Sequence, residues 1–490
     1  MRGLFERKSL EDLVSEASES RKDWKQKLSA FNLVTLGIGA IIGAGLFVYT
    51  AEAAAKHAGP AVTVAFIIAA VGCALAGLCY AEFASMIPIS GSAYTYSYAT
   101  LGELVAWIIG WDLVLEYALG AATISIYWSQ YFNKLLSYFG LSISYRWSHG
   151  PFENGIINIP ALSIIFLLSL LLMRGIEQSA FVNSLIVILK VAIILLFILV
   201  GWSFINPDNL TPYFPQPRLV KMDGEEFHFG GIEGIISAAS LVFFAFIGFD
   251  AVSTAAQEAK NPKRDMPIGI LGSLALCTVL YVLFAYVLTG VANVTEFQAA
   301  KDMEAIVTNT IEGHMNGFKW LAKLVTVAIL LGFSSVILVT LLGQSRVFSS
   351  MSRDGLIPPI FGKLHPKFRT PYKGNIILFL FVGAFAAFVP GRTVGKMVNI
   401  GTLFAFIIVC VGVIVMRKVA PDAPRAFKTP FVPTIPILGI AVCTAMIYGL
   451  GWPNWVRLLV WLAIGLVIYF SYSNSHSKLR LQNNSKTKDV

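Results

Sequence analysis

The chain has 490 residues, of which 56% are hydrophobic and only 13% charged, and its mean hydropathy is +0.71. Soluble domains carry about 25% charged residues, so this composition excludes an ordinary soluble enzyme and describes a polytopic membrane protein. The net charge of +9 raises nucleic acid as a partner, but Lys and Arg fall in alternate loops rather than on one face, which is a topology signal and argues against nucleic acid.

Residues 1–30 are polar and hold seven Lys or Arg, and no cleavable signal peptide is expected there. Ser9 with Asp12 reads as a capping box, followed by Leu10, Leu13, Val14 and Ala17 at helical spacing. The expectation is a short amphipathic helix on the inner membrane surface. A span needs about 20 apolar residues. Twelve stretches qualify: 31–56, 60–86, 94–131, 157–174, 178–205, 231–259, 266–292, 318–350, 374–390, 394–416, 431–452 and 454–473. Loops 132–156 and 206–230 are short and turn-rich and are expected to pack over the bundle. No separate soluble domain is expected.

With the N-terminus inside, 25 of the 37 basic residues lie on the cytoplasmic side and 11 outside. The remaining one, Lys190, lies within a span. The bias puts both termini in the cytoplasm and the chain in the cell membrane. The five cysteines all sit in apolar stretches and read as buried packing residues, not a disulfide framework. The histidines are scattered singly, so no metal site is expected.

Span 1 carries GAIIGAG (39–45) and span 6 carries FFAFIGFDA (243–251). Both interrupt apolar helices, and both open blocks of similar size, 31–205 and 231–418. Five spans followed by five give the blocks opposite orientation, and broken helices at matching positions of inverted halves point to a transporter binding site. Residues 431–473 then form two additional spans, and 474–490 a cytoplasmic tail. The fold class expected is all-α, with twelve transmembrane helices in a five-plus-five inverted repeat and broken helices 1 and 6.

Gly39 and Gly43 alone fit close helix packing as well as an unwound site. Gly43-Ala44-Gly45 shifts the balance, because the chain there can leave helical geometry and free several N–H and C=O groups. At membrane depth such groups must be buried in protein or face a polar cavity. A zwitterion complements both: its carboxylate suits N–H groups at the start of the outer half-helix, and its ammonium suits freed carbonyls of Ile41 and of Phe244–Ile247. That combination fits an α-amino acid.

LVTLGIGAIIGAGLFV (33–48), AEFASMIPISGSAYTYSYATLGELVAWIIGWDLVLEY (81–117), FFAFIGFDAVSTAAQEAKNPKRDMPIGI (243–270) and SRDGLIP (352–358) resemble the amino acid–polyamine–organocation superfamily. RAFKTPFVPTIPILGI (425–440) resembles its bacterial cationic amino acid transporter branch, whose members often carry neutral amino acids. The resemblance covers residues 28–475. It implies a leucine-transporter-like fold, alternating access and proton-coupled symport, with a proton gradient as the energy source and no cofactor. It places the carboxylate on N–H groups around Gly43, Ala44 and Gly45, and the ammonium on carbonyls of Ile41, Phe244, Ala245 and Ile247. Two departures stand out: Ala44 where relatives often have Thr, and Gln257 where many have Glu, which leaves the inner-loop charge pairing open.

A lysine at mid-span costs about 2.5–3.5 kcal/mol on insertion scales, so Lys190 is expected to face the bundle interior. The resemblance puts it where sodium-driven relatives hold a cation between spans 1 and 8. There its ammonium would bond span 1 carbonyls, with Ser334 or Ser335 as further partners, and loss of its proton would loosen the two bundles. Asp112 and Glu116 share one face of span 3, and Glu116, the deeper, is the second proton-coupling candidate. Asp250 reads as a half-helix cap, and Glu82 and Glu103 as members of ion pairs. Phe246, Phe249 and Thr340 are expected to set side-chain selectivity, and Tyr94, Tyr96 and Tyr98 to lie at the membrane interface. The expected partners are the free amino acid and the bilayer; a small membrane subunit stays open. An exchanger or a membrane amino acid sensor on the same fold are the alternatives. An enzyme is not, because no nucleophile–base pair, metal cluster or phosphate loop appears in the sequence.

Overall fold

The computed structural model describes residues 4–13, 15, 28–89, 91–174, 180–222, 225–300, 305–368 and 370–481. Among the described residues, eight helical stretches are long and apolar enough to cross a bilayer: Gly45–Met86, Glu103–Ser137, Ser184–Trp202, Gly231–Glu258, Pro262–Val291, Lys319–Arg353, Gly391–Val419 and Trp452–Leu481. Four shorter apolar helices accompany them: Ala30–Ile41, Ile159–Met173, Tyr372–Phe388 and Thr434–Gly449. These helices fall on the stretches that hydropathy picks out.

Helices apolar all round have no polar face to give to water, so they settle in lipid on one side and in the bundle on the other. Helix Ala180–Trp202 shows the division: Leu185, Ile188, Leu195 and Leu199 are exposed, while Val187, Lys190, Ile194 and Phe197 are buried. At the centre, helix Pro262–Val291 lies along both Val62–Met86 and Ala30–Ile41. Helix Lys319–Arg353 packs on Gly120–Ser137, and Gly391–Val419 on Thr434–Gly449.

Two helices are interrupted at the middle of this bundle. Ala30–Ile41 stops at Ile42, whose backbone is extended, and the chain resumes after Gly43 as the π-helix Gly45–Tyr49. Gly231–Val242 tightens into the 3₁₀ turn Phe243–Phe246, opens at Ile247, passes Gly248 at φ +111° and continues as the 3₁₀ helix Asp250–Glu258. That φ excludes nearly every residue but glycine.

Two expectations are corrected. The fold is not purely helical, because Arg218–Met222 and Glu225–Phe229 form an antiparallel hairpin in the 206–230 loop. It docks on the end of the first broken helix, with Gly230 N–H donating to the His57 carbonyl at 2.7 Å and Lys56 Nζ lying 4.7 Å from the Phe227 ring. Tyr94, Tyr96 and Tyr98 are fully buried rather than interfacial, because the short helix Ser92–Thr100 folds inward before Gly102 turns the chain at φ +95°. Residues 4–13 of the N-terminal segment pack on protein. Ser9 does cap, accepting from Asp12 N–H at 3.0 Å, but Leu13 is buried and Lys8 Nζ reaches Asp354 at 2.5 Å. Val14, Ala17, residues 178–179 and 482–490 of the expected elements lie outside the described residues.

The terminal ends of the helices are fixed by carboxylates. Glu82 accepts from Arg417 at 2.8 and 2.9 Å, from Arg425 at 3.1 Å and from Thr429 N–H at 2.8 Å. Glu103 binds the Tyr98 and Tyr469 hydroxyls, each at 2.9 Å, together with Ser477 and Arg480, and so ties the C-terminal segment to span 3. Both glutamates are structural ion-pair members, as the sequence suggests. Breaking a buried pair leaves its partner charge uncompensated. Glu82→Gln should therefore destabilise the detergent-solubilised protein by about 3–5 kcal/mol, read as a lowered Tm, because Arg425 is itself buried.

Candidate functional site

The two breaks touch. A Cβ at Gly45 would lie 2.1 Å from the Ala245 Cα, and one at Gly248 would lie 2.8 Å from the Ala40 carbonyl oxygen. The glycines therefore serve as contact points between two unwound backbones, and each leaves carbonyls without a helical partner.

Those carbonyls are claimed by two side chains from other helices. Lys190 Nζ donates to the carbonyls of Gly39 and Ile42, both at 2.9 Å. The Tyr281 hydroxyl lies 3.0 Å from the Ile41 carbonyl and 2.9 Å from the Ala245 carbonyl, so it spans both breaks. Sequence reasoning found Lys190 and missed Tyr281. A tyrosine among apolar residues of a span reads as an interface anchor, and only the fold shows its hydroxyl at the centre.

Lys190 also lies where a Cβ on Gly332 would meet its Cδ at 3.3 Å, so this glycine of helix Lys319–Arg353 makes room for it. Ser334 is engaged elsewhere, accepting from Trp128 Nε1 at 3.1 Å and donating to the Leu330 carbonyl at 2.8 Å. Ser335 makes no hydrogen bond in the structure. The serine ligation expected for the ammonium is not formed.

Apolar side chains surround the breaks. Tyr49 meets the Phe244 ring at 4.9 Å, Phe246 meets Tyr281 at 5.3 Å, and Phe47 meets Phe284 at 5.7 Å. Ile41, Gly43, Ala44, Gly45, Phe244, Ala245, Phe246 and Ile247 are all buried. Val336, unremarked in the sequence, faces Gly43, where a Cβ would come within 3.2 Å of its Cγ2. Thr340 lies one turn further along the same helix, and its hydroxyl bonds back to the Val336 and Ile337 carbonyls at 3.0 and 2.9 Å. Phe249 turns away from the breaks to the rings of Tyr80 and Phe406.

Glu116 keeps different company from Lys190. It sits in the π-helix Leu115–Leu119, buried, with its carboxyl against that of Asp250. Asp250 accepts from the Tyr117 hydroxyl at 2.7 Å. Asp112 lies beside Gly401, and neither of its oxygens, nor either of Glu116, has a hydrogen-bond partner in the structure. At the terminal side of the second break, Glu258 pairs with Arg346.

Two broken helices pressed together at the middle of an apolar bundle, with backbone acceptors gathered around a buried ammonium and a hydroxyl, define a membrane permease for small solutes. The chain belongs to the amino acid permease family, which it matches over residues 28–472. It is 46% identical over 97% of its length to the branched-chain amino acid permease BcaP of Bacillus subtilis (strain 168), covering 99% of that protein. It is 41% identical to the methylthioribose transporter of the same organism, across 98% of this chain and 100% of that one. To BcaP of Lactococcus lactis subsp. cremoris (strain MG1363) the identity is 33%, across 97% and 99% of the two chains.

The tight contact between the breaks separates two neighbouring glycines. Gly45→Ala drives a Cβ into Ala245 backbone and should reduce transport at least about tenfold, the scale of a displaced site. Gly43→Ala meets only the Val336 side chain and should keep transport within about threefold of wild type. Initial uptake rates at equal membrane expression make the comparison.

Proposed function

We propose that this permease takes up α-amino acids with branched aliphatic side chains by proton-coupled symport. The observation that carries the reading is the meeting of the Ile41 and Ala245 carbonyls under one hydroxyl, beside the opening N–H groups of the half-helix at Gly45. A substrate ammonium takes the carbonyls of Ile41, Phe244, Ala245 and Ile247. Its carboxylate takes the N–H groups of Gly43, Ala44 and Gly45 at the positive end of the half-helix. Phe244, Phe246, Ile247, Val336 and the methyl of Thr340 offer an apolar wall to an aliphatic side chain. The names of the BcaP relatives support that side-chain class.

Transport proceeds by alternating access in a twelve-span, five-plus-five inverted repeat, blocks 31–205 and 231–418, with the two further spans at 431–473 outside it. Both termini, 1–30 and 474–490, lie in the cytoplasm and the chain sits in the cell membrane, driven by the proton gradient without a cofactor. Lys190 couples the proton to motion: charged, it ties span 1 to span 5 through Gly39 and Ile42; neutral, it keeps two N–H donors but loses the charge that strengthens both bonds, and the tie loosens. Glu116 near Asp250 is a second place to keep a proton, since two neighbouring carboxyls repel when both are ionised.

Uptake of radiolabelled leucine, isoleucine, valine, lysine and methylthioribose into proteoliposomes, with and without an inward proton gradient, tests the proposal. Branched-chain uptake should rise about tenfold with the gradient, and Lys190→Ala should lose that stimulation while its substrate Kd stays within about threefold. Uptake only against internal amino acid, indifferent to the gradient, would make the protein an exchanger. Preference for methylthioribose would overturn the amino acid assignment, and binding without flux would make it a sensor. Tyr281→Phe leaves two buried carbonyls with one donor fewer and should weaken substrate-free stability by about 1–3 kcal/mol.

A further inference from the structure

The motif SRDGLIP is not used by the transport site. It ends helix Lys319–Arg353 at the end of the bundle that carries both termini, and Gly355 turns the chain at φ +80°. Asp354 faces inward, where its carboxylate is occupied by Lys8 at 2.5 Å and by the Tyr94 hydroxyl at 2.6 Å. Arg353 faces the other way, into an open groove of about 550 Å³ lined by Ser352, Arg353, Pro359, Lys363, Lys373 and Lys478.

Four cations therefore converge on one groove, and among the described residues none of them forms an ion pair with a carboxylate. Lys373 stands in the first turn of helix Tyr372–Phe388, which has no acidic residue there, so its charge opposes the helix dipole. An anion in the groove would relieve both the mutual repulsion and the dipole conflict. The rim of the groove is apolar: Ile360 and Leu364 are exposed, and Ile376, Ile377 and Leu380 continue outward along the lipid-facing side of the helix. A free anion has no use for that rim, whereas an acyl chain does.

We infer that this groove binds the headgroup of an anionic phospholipid, with its phosphate among Arg353, Lys363, Lys373 and Lys478 and an acyl chain along Ile376 and Leu380. Basic pockets beside transmembrane helices recognise such headgroups, and each nearby Lys or Arg contributes about 1 kcal/mol. The inference concerns a surface remote from the substrate and stands or falls independently of the transport reading.

Full-length protein in neutral detergent is titrated with phosphatidylglycerol or phosphatidylcholine, and bound lipid is read by native mass spectrometry. Lys363→Gln with Lys373→Gln should weaken phosphatidylglycerol binding on the order of twenty- to thirtyfold and leave phosphatidylcholine unchanged. Lys363→Arg with Lys373→Arg should restore it. Lys263→Gln with Arg264→Gln, exposed basic residues outside the groove, should have no effect. Equal loss in both neutralised pairs, or no loss in the groove pair, would overturn the site. Displacement of phosphatidylglycerol by millimolar inorganic phosphate would overturn the lipid assignment in favour of a free-anion site.

Discussion

The structure is organised by one requirement: backbone polar groups released inside an apolar bundle must find partners within the protein or its ligand. Breaking two helices at the centre exposes carbonyls that no water of the bilayer core can reach. Lys190 takes two on the first break, and Tyr281 takes one from each break. Helices Ala180–Trp202 and Pro262–Val291 are thereby tied to the broken helices through polar bonds at a depth where most contacts are apolar. The N–H groups opening the segment at Gly45 have no side-chain cap. Backbone acceptors of both breaks and the uncapped donors at Gly45 thus lie side by side.

The carboxylates divide by the company they keep. Glu82 and Glu103 lie at helix ends with arginines and hydroxyls, and their bonds fix spans to the segments that follow them. Glu116 and Asp250 lie deep, against each other and beside Tyr117, while Asp112 faces the backbone of Gly401. Geometry separates a set paired with arginines from a set without an arginine or lysine pair among the described residues.

Much of this was legible in the sequence. Hydropathy located the helices, the glycine clusters located both breaks, and a lysine amid apolar residues pointed to the interior. The local signals sufficed because each is a violation of what lipid tolerates. What stayed hidden depends on partners far away in the chain. Tyr281 lies 240 positions from Ile41 and has no neighbour that marks it. Val336 is one valine among many. Tyr94, Tyr96 and Tyr98 alternate as interface residues do, yet Asp354 from the far half covers Tyr94, Lys8 near the N-terminus covers Tyr98, and Tyr96 stacks on Phe83. The hairpin of 218–229 has polar strands too short to distinguish from a loop.

That covering segment has a thermodynamic consequence. Leu13 is buried and Lys8 is paired with Asp354, while the backbone N–H groups of Glu103 and Leu104 donate to the Glu6 and Leu4 carbonyls at 3.0 and 2.9 Å. Any widening of the bundle at this end must first lift the strap away. Exposing Leu13 alone costs about 1.5–3 kcal/mol. A difference of a few kcal/mol leaves the minor state at roughly 0.1–10% of molecules. Residues 4–13 therefore add to the cost of any rearrangement at this end of the bundle, as a strap that must be undone first.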